Sequence, residues 1–471
     1  MSQSLFDIAI IGSGPGGYRA AVIAALRGQQ VAIIEKHQWG GCCLNRGCVP
    51  KKDWYHTARL LEQQHYYLRG IEGKLTADIQ QAWQHQHQIV SNVRDSYIQY
   101  MQRLGIRQYQ GHGRLQDSNT IAIERADTVE HISSRFCILA SGSTARIPHG
   151  FEPTELKVLT TDMLFESGVP AGKRVAIVGS GVIASEFAYI LTQLGLDVSW
   201  LCRSRPLHRS EFSQPALTSL SNAFEGLAIA PVYYKSLEVS AIGDNVTLTR
   251  DEETLDFDWI LLASGRIPHT SELGLEHTQV QVSNDGFILR DEYLQTKDPQ
   301  IYAIGDCASP QMTANQALDD ASVAIDNILQ ARTRKSRPID VPQVVYSALE
   351  LARVGLNEDQ AEDAGHEPAV GFASFEHSPL ALGKDQTQGF VRIIGDMDSG
   401  QFLGGEIVGD DAGELIQLLD SPSGDSQFLR HLLARSVNHP SRAEELVNAV
   451  ETMASKWGMG ELLNRGPSTK E

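Results

Sequence analysis

No run of about 18 apolar residues occurs in this 471-residue chain, so no segment reads as a membrane-spanning helix. Positive charge is scarce: 40 Lys and Arg stand against 58 Asp and Glu, for a net charge of −18. Phosphate backbones are bound by clustered Lys and Arg, so no nucleic-acid partner is expected. Cysteine is sparse too. Six cysteines in a chain this long, only two of them suitably spaced, do not make a secreted disulfide framework. A strand is predicted at Phe6–Ile11 with no basic segment and cleavage site ahead of it, so no signal peptide is expected. These absences predict a protein of the cytoplasm or an equivalent reducing space, with no membrane partner. What remains, 42% hydrophobic and 21% charged residues, suits a globular enzyme of about three domains.

The chain is organised around Gly40-Gly41-Cys42-Cys43-Leu44-Asn45-Arg46-Gly47-Cys48-Val49-Pro50-Lys51-Lys52. Cys43 and Cys48 are close enough to close a small disulfide ring. In a reducing space such a ring is more often a redox device than a staple. Trp54, Ala58 and Leu61 predict a helix starting at or near Cys48. A helix N-terminus beside Lys51 and Lys52 favours thiolate over thiol. Two readings compete: a pair of core cysteines near a turn, or half a zinc site. The second lacks another cysteine pair of matching spacing, and no metal site is expected.

Upstream, Ile8-Ala-Ile-Ile-Gly12-Ser-Gly14-Pro-Gly16-Gly17 is an apolar strand entering a glycine turn, followed by an alanine-rich helix and the strand Val31–Ile34, which ends at Glu35. That context turns a weak glycine pattern into a dinucleotide fingerprint. Gly12 permits the turn, Gly14 lets backbone approach a pyrophosphate, and Gly17 lets helix pack on strand. Glu35 would bind an adenosine ribose. Val175-Ala-Ile-Val-Gly179-Ser-Gly181-Val-Ile-Ala184 repeats the pattern almost residue for residue. Two such units imply two bound nucleotides, the arrangement expected when electrons pass between a nicotinamide, a flavin and a dithiol. Glu35 lies 23 positions after Gly12, whereas the same step from Gly179 reaches Cys202, with Arg203, Arg205 and Arg209 just beyond. An acid there recognises a ribose 2′-hydroxyl and arginines a 2′-phosphate, so the second unit favours NADP(H) over NAD(H).

Elsewhere the pattern predicts two helices between residues 55 and 110, the longer over Leu75–Leu104, and short strands at Ile121–Ile123 and Phe136–Ala140. His85 and His87 point to different sides of that helix and make a poor metal pair. Ala140-Ser141-Gly142-Ser143 and Gly265-Arg266-Ile267-Pro268 are turns closing the nucleotide units. Asp306, ending the strand Ile301–Ile304, suits a ribityl hydroxyl. A charged link at Arg332–Pro342 precedes a region without glycine fingerprints, which holds His439-Pro440-Ser441-Arg442-Ala443-Glu444.

Taken together these motifs resemble the pyridine nucleotide–disulfide oxidoreductases of the dihydrolipoamide dehydrogenase and glutathione reductase type, from end to end. The resemblance implies an α/β protein: two Rossmann-like, three-layer ββα nucleotide-binding domains plus an α+β dimerisation domain. The implied division is an FAD-binding domain at 1–150, an NAD(P)-binding domain at 151–272, a second FAD-binding part at 273–341 and an interface domain at 342–471. It implies FAD, NAD(P) and a homodimer whose sites are built from both subunits. Cys43 would be the interchange thiol and Cys48 the thiol against the flavin. Lys52 would be the lysine near the flavin, Glu186 its partner beside the nicotinamide, and His439 the acid–base group lent to the other subunit and oriented by Glu444. Histidine suits that task because it titrates near neutrality.

Departures are visible. Val437 stands where dihydrolipoamide dehydrogenases carry a second histidine, and Lys51, Arg203 and Arg209 look more like glutathione reductase. Gly389-Phe-Val-Arg-Ile and Leu403-Gly-Gly-Glu-Ile-Val-Gly look like the dihydrolipoamide dehydrogenase interface domain. Cys42 and Arg46 are unusual: Cys42 is either a small buried side chain or a third exchanging thiol. The expected external couple is a lipoyl group on a carrier protein, with an NADPH-driven reductase of a low-molecular-weight disulfide as the alternative.

Overall fold

The computed structural model describes residues 5–63, 70, 73–154, 156–419 and 427–460. In the first sheet the parallel strands Arg107–Gln110, Val31–Glu35, Leu5–Ile11 and Val129–Leu139 lie side by side. The long strand Val129–Leu139 serves two neighbourhoods. Its first half pairs antiparallel with Thr120–Glu124; its last residues pair parallel with Ile301–Ala303, which arrives from far along the chain. Alternation along Ile8-Ala9-Ile10-Ile11 explains the layers, since successive strand side chains face opposite ways. Ile8 and Ile10 pack with the helix Pro15–Leu26, and Ala9 and Ile11 pack with Ile121 and Ile123 on the other side.

The second unit repeats this logic. Strands Pro231–Tyr233, Asp197–Cys202, Arg174–Val178, Trp259–Leu262 and Val158–Thr160 form a parallel sheet. Val175 and Ile177 face the helices Val182–Gln193 and Gln214–Gly226, while Ala176 and Val178 face the antiparallel meander of Leu237–Ile242, Val246–Arg250 and Glu253–Phe257. Sheet, meander and helices make the three-layer arrangement expected. The last sheet is wholly antiparallel, ordered Gln343–Tyr346, Glu350–Gly355, Phe402–Val408, Phe390–Asp396, Pro368–Ser374. Leu446, Ala449, Val450 and Met453 of the helix Glu444–Trp457 close its core.

Local expectations shift slightly. The helix predicted at Leu75–Leu104 runs Ile79–Arg103, because the Asp78 side chain accepts from the Gln80 and Gln81 amides and starts it there. The predicted helix after the cysteines starts at Cys48 and is described to Gln63. Part of the stretch beyond it, 64–69 and 71–72, and the end of the interface region, 461–471, lie outside the described residues. Among the described residues no helix is long and apolar enough to cross a membrane.

Candidate active site

The two glycine turns are built alike. Gly12 has φ +105° and Gly179 φ +148°, and a Cβ on either would lie 2.2 Å from a carbonyl oxygen, that of Ala140 or Ala263. Only glycine fits. Gly14 and Gly181, which cap the two following helices, have nothing within 4 Å of where a Cβ would stand, so their backbone faces open space at a helix N-terminus. Glu35 is buried at the end of its strand. Its carboxylate accepts from the Ser13 amide at 3.0 Å, the Ser13 hydroxyl at 2.6 Å and the His37 amide at 2.8 Å. A carboxylate has about four lone-pair positions, which leaves capacity for a ribose hydroxyl.

One continuous cavity of roughly 1630 Å³ joins both turns and the cysteines; Gly12, Glu35, Cys43, Cys48, Gly179 and Arg209 all line it. Gly16, Gly142, Gly265 and Asp306 line it too, as do Lys51, Lys52, Glu186 and Arg203. Gly17 sits behind the turn, where a Cβ would lie 1.9 Å from the Gly12 carbonyl oxygen. Asp306 accepts from the Ser143 hydroxyl at 2.5 Å, and Ser143 accepts in turn from Arg266 Nε at 2.7 Å. Burial holds the Asp306 carboxyl above the usual range. These residues fit FAD: an open glycine turn, a buried acid at the strand end and a second, half-buried acid farther along the same cavity.

Cys43 lies in the short helix Gly41–Arg46 and Cys48 begins the next. Both are free thiols joined by a hydrogen bond that Cys43 donates. That bond is the main cause bringing Cys48 down to about 7; burial opposes it and Lys51 assists. The same bond, with burial, pushes Cys43 well up. The pair is therefore asymmetric, one sulfur poised as thiolate and the other protonated.

The lysine assignment is corrected. Lys51 Nζ lies 2.5 Å from Glu186 Oε2, while Lys52 turns away to Glu414 at 3.7 Å and over the Tyr346 ring at 4.0 Å. Residues 51 and 52 lie three and four positions beyond Cys48, both on its side of the helix, so helical geometry alone does not choose between them; the position of Glu186 does. Burial pulls the Lys51 ammonium down, but Glu186 and Cys48 outweigh it and the net direction is up. Glu186 is almost fully buried and its other oxygen accepts from the Tyr346 amide at 2.9 Å.

Cys42 points at Arg266 Nη2, 3.4 Å away, and at Asp162. Burial pushes this thiol up to about 12, which leaves it protonated and a poor nucleophile. Arg46 pairs with Glu166 at 3.1 Å. In the second nucleotide unit Cys202 is buried and points to the Gly179 carbonyl. Arg203 and Arg209 are exposed at the cavity, and a chain of contacts links Ser180, Ser204 and His208 at 2.9 and 3.0 Å. His439 is set apart. It does not line the cavity, its side chain is 74% exposed, and Glu444 Oε1 holds its Nδ1 at 2.7 Å. Ser13, Ser143 and Tyr346 are contacts that sequence reasoning did not single out. Ser13 and Ser143 sit inside quoted motifs and Tyr346 in the stretch Val345–Gly355, which carries the family resemblance, but Tyr346 meets Glu186 through its backbone amide, which no side-chain pattern reports.

Residues 6–327 match the pyridine nucleotide-disulphide oxidoreductase family, and residues 341–450 match the dimerisation domain of the same family. The chain belongs to that family. Members are FAD-dependent, use NAD(P), and are oxidoreductases acting on sulfur groups. Relatives include the dihydrolipoyl dehydrogenase of Corynebacterium glutamicum, 30% identical over 94% of this chain and 97% of that protein. That of Chlorobaculum tepidum is 31% identical over 87% and 89%. Among solved structures, LpdA from Mycobacterium tuberculosis superposes with a TM-score of 0.87 at 23% identity, covering 94% of this chain and 99% of that one. The HOCl-induced flavoprotein disulfide reductase RclA from Escherichia coli gives 0.83, also at 23% identity, over 95% and 99%. The chain is thus a disulfide oxidoreductase of the dihydrolipoyl dehydrogenase type.

Proposed function

We propose that this chain, as a homodimer, oxidises a dithiol with NAD(P)⁺, the dithiol being a lipoyl group on a carrier protein. The net reaction is dithiol plus NAD(P)⁺ giving cyclic disulfide, NAD(P)H and a proton. Bound FAD supplies the two-electron link between sulfur and nicotinamide. The observation that carries the reading is the asymmetric Cys43–Cys48 pair lying in one cavity between two dinucleotide turns.

Gly12, Gly14, Gly16, Gly17, Glu35, Gly142 and Asp306 would hold FAD, and Gly179, Gly181 and Gly265 the nicotinamide nucleotide. Cys43, the protonated member, exchanges with the substrate disulfide or dithiol; Cys48 keeps the second sulfur ionised. Lys51, held by Glu186, takes the place that the resemblance had given to Lys52. The partner subunit's His439 accepts the proton that the dithiol must lose, and Glu444 orients the ring. The exposure of His439 outside its own cavity supports this sharing. Absence of an acid at Cys202, with Arg203 and Arg209 at the cavity, supports a preference for NADP(H). The sheet boundaries support a domain division at residues 150, 272 and 341, and the reducing chemistry suits a cytoplasmic setting.

That nucleotide preference favours a second reading, the NADPH-driven reduction of a low-molecular-weight disulfide. Steady-state assays divide the two. Turnover of dihydrolipoamide with NAD⁺ or NADP⁺ supports the first, and turnover of glutathione disulfide with NADPH alone would replace it with the second.

A further inference from the structure

About three turns along the helix that begins at Cys48, its exposed end enters a buried charge cluster. Arg59 donates to Glu62 at 2.5 Å and to Asp410 Oδ1. One turn earlier on the same face, Tyr55 donates to Glu350 at 3.0 Å. Asp410 follows the strand Phe402–Val408 of the interface sheet, so the thiol-bearing helix is tied to that sheet through this carboxylate. The second oxygen of Asp410 faces Arg442 Nη2 at 3.9 Å.

Arg442 sits between His439 and Glu444. Its side chain is only 2% exposed, and among the described residues Nε and Nη1 have no hydrogen-bond partner. Nη2 alone bonds, to the backbone and side-chain oxygens of Gln386 at 3.1 Å. What compensates the buried charge is Asp410, Asp411 at 3.4 Å and the Phe375 ring at 4.8 Å. Asp411 is half exposed, and Glu350 acts on the same charge from farther off, leaving Asp410 as the nearest sheltered counter-charge. The arc from 439 to 444 is otherwise self-contained: Glu444 holds the His439 ring and accepts from the Ser441 amide at 2.7 Å. Its C-terminal end is fixed by the helix that Glu444 begins and by Ala443 on the interface core, and within the arc Arg442 is the side chain that reaches back to the rest of the subunit.

We propose that Asp410 is a positioning residue: bridging Arg59 and Arg442, it anchors the arc that presents His439 against the framework that carries the redox thiols. This rests on the reading of His439 given above. Neutralising Asp410 leaves Arg59 its bond to Glu62, so the thiol helix keeps an anchor. Arg442 keeps its Gln386 bonds, the half-exposed Asp411 and the more distant Glu350 but loses the nearest sheltered carboxylate, so the arc bearing His439 loosens. Because His439 serves proton transfer from the dithiol, the loss falls on the sulfur half of the reaction. The nicotinamide half, which does not use His439, is spared.

The test uses FAD-loaded wild type, D410N, D410E and H439A. Each is assayed with dihydrolipoamide and NAD(P)⁺, or with glutathione disulfide and NADPH if that is the couple the wild type turns over, and separately with NADPH and ferricyanide. A misplaced catalytic group costs up to about 10²-fold, so D410N should lose of the order of 10- to 100-fold in kcat for the sulfur substrate. Its KM for the nucleotide and its ferricyanide rate should stay within about twofold, and D410E should recover most of the loss. Unchanged sulfur turnover in D410N overturns the proposal, as does an equal loss in both assays. If D410N does not fold, R442Q, which removes the cation that Asp410 faces, is read by the same two assays and the same criteria. Full sulfur turnover in H439A would instead overturn the underlying reading of His439.

Discussion

Replacing Cys43 with alanine should raise the titration of Cys48. The Cys48 thiol stands at about 7 against an ordinary value of 9.0, and the hydrogen bond from Cys43 is the largest cause. Because Cys48 is exposed at the cavity, solvent screening makes the free-energy equivalent of this displacement smaller than the roughly 1.4 kcal/mol per pH unit of a fully buried group. Without the Cys43 sulfur, burial still opposes ionisation and only Lys51 assists it. C43A should therefore move the midpoint up by at least about one pH unit, a fall of about fivefold in thiolate at pH 7. C43S, which keeps a donor at the same place, should lie between. The assay is ultraviolet thiolate absorbance of the reduced protein against pH, with C48S subtracted. A C43A midpoint still near 7 would refute the reasoning and give the role to Lys51.

The Lys51–Glu186 pair gives a second expectation. K51M strands a carboxylate 1% exposed and should cost about 3 kcal/mol in denaturant unfolding, whereas K52M, whose partner Glu414 is 71% exposed, should change stability by less than about 0.5 kcal/mol. G12A places a Cβ 2.2 Å from the Ala140 carbonyl oxygen, so the purified variant should carry little flavin by its absorbance ratio. C42S should leave turnover and its pH profile unchanged, because a thiol held at about 12 takes no part in exchange near neutrality. Removing Arg203 and Arg209 together should raise KM for NADPH by about tenfold or more and leave KM for NADH nearly unchanged in steady-state assays.

The parts of this protein written locally are the parts the sequence shows. Both glycine turns are legible because strand, turn and helix follow one another within a few residues, and the missing Cβ at Gly12 and Gly179 is a strictly local requirement. The cysteine block is legible for the same reason, as is the helix that starts at Cys48. Helical geometry does not choose between adjacent Lys51 and Lys52, since both lie within about one turn of Cys48 on its side of the helix, and motif matching selects Lys52. The position of Glu186, 135 residues from Lys51, decides which of the two it meets. The links among Arg59, Asp410 and Arg442 span as many as 351 residues and follow no periodic pattern, so nothing in the sequence announces them. Tyr346 is hidden likewise: its backbone amide, which any residue other than proline would supply, makes the contact to Glu186.

The central claim is that Cys43 and Cys48 carry the electrons between nucleotide and external sulfur. Mass-spectrometric labelling of free thiols before and after anaerobic reduction of the oxidised, FAD-loaded protein by NADPH tests it most directly. The account predicts that Cys43 and Cys48 become newly labelled while Cys42, Cys137, Cys202 and Cys307 do not change. A flavin that bleaches while no cysteine gains label would contradict it.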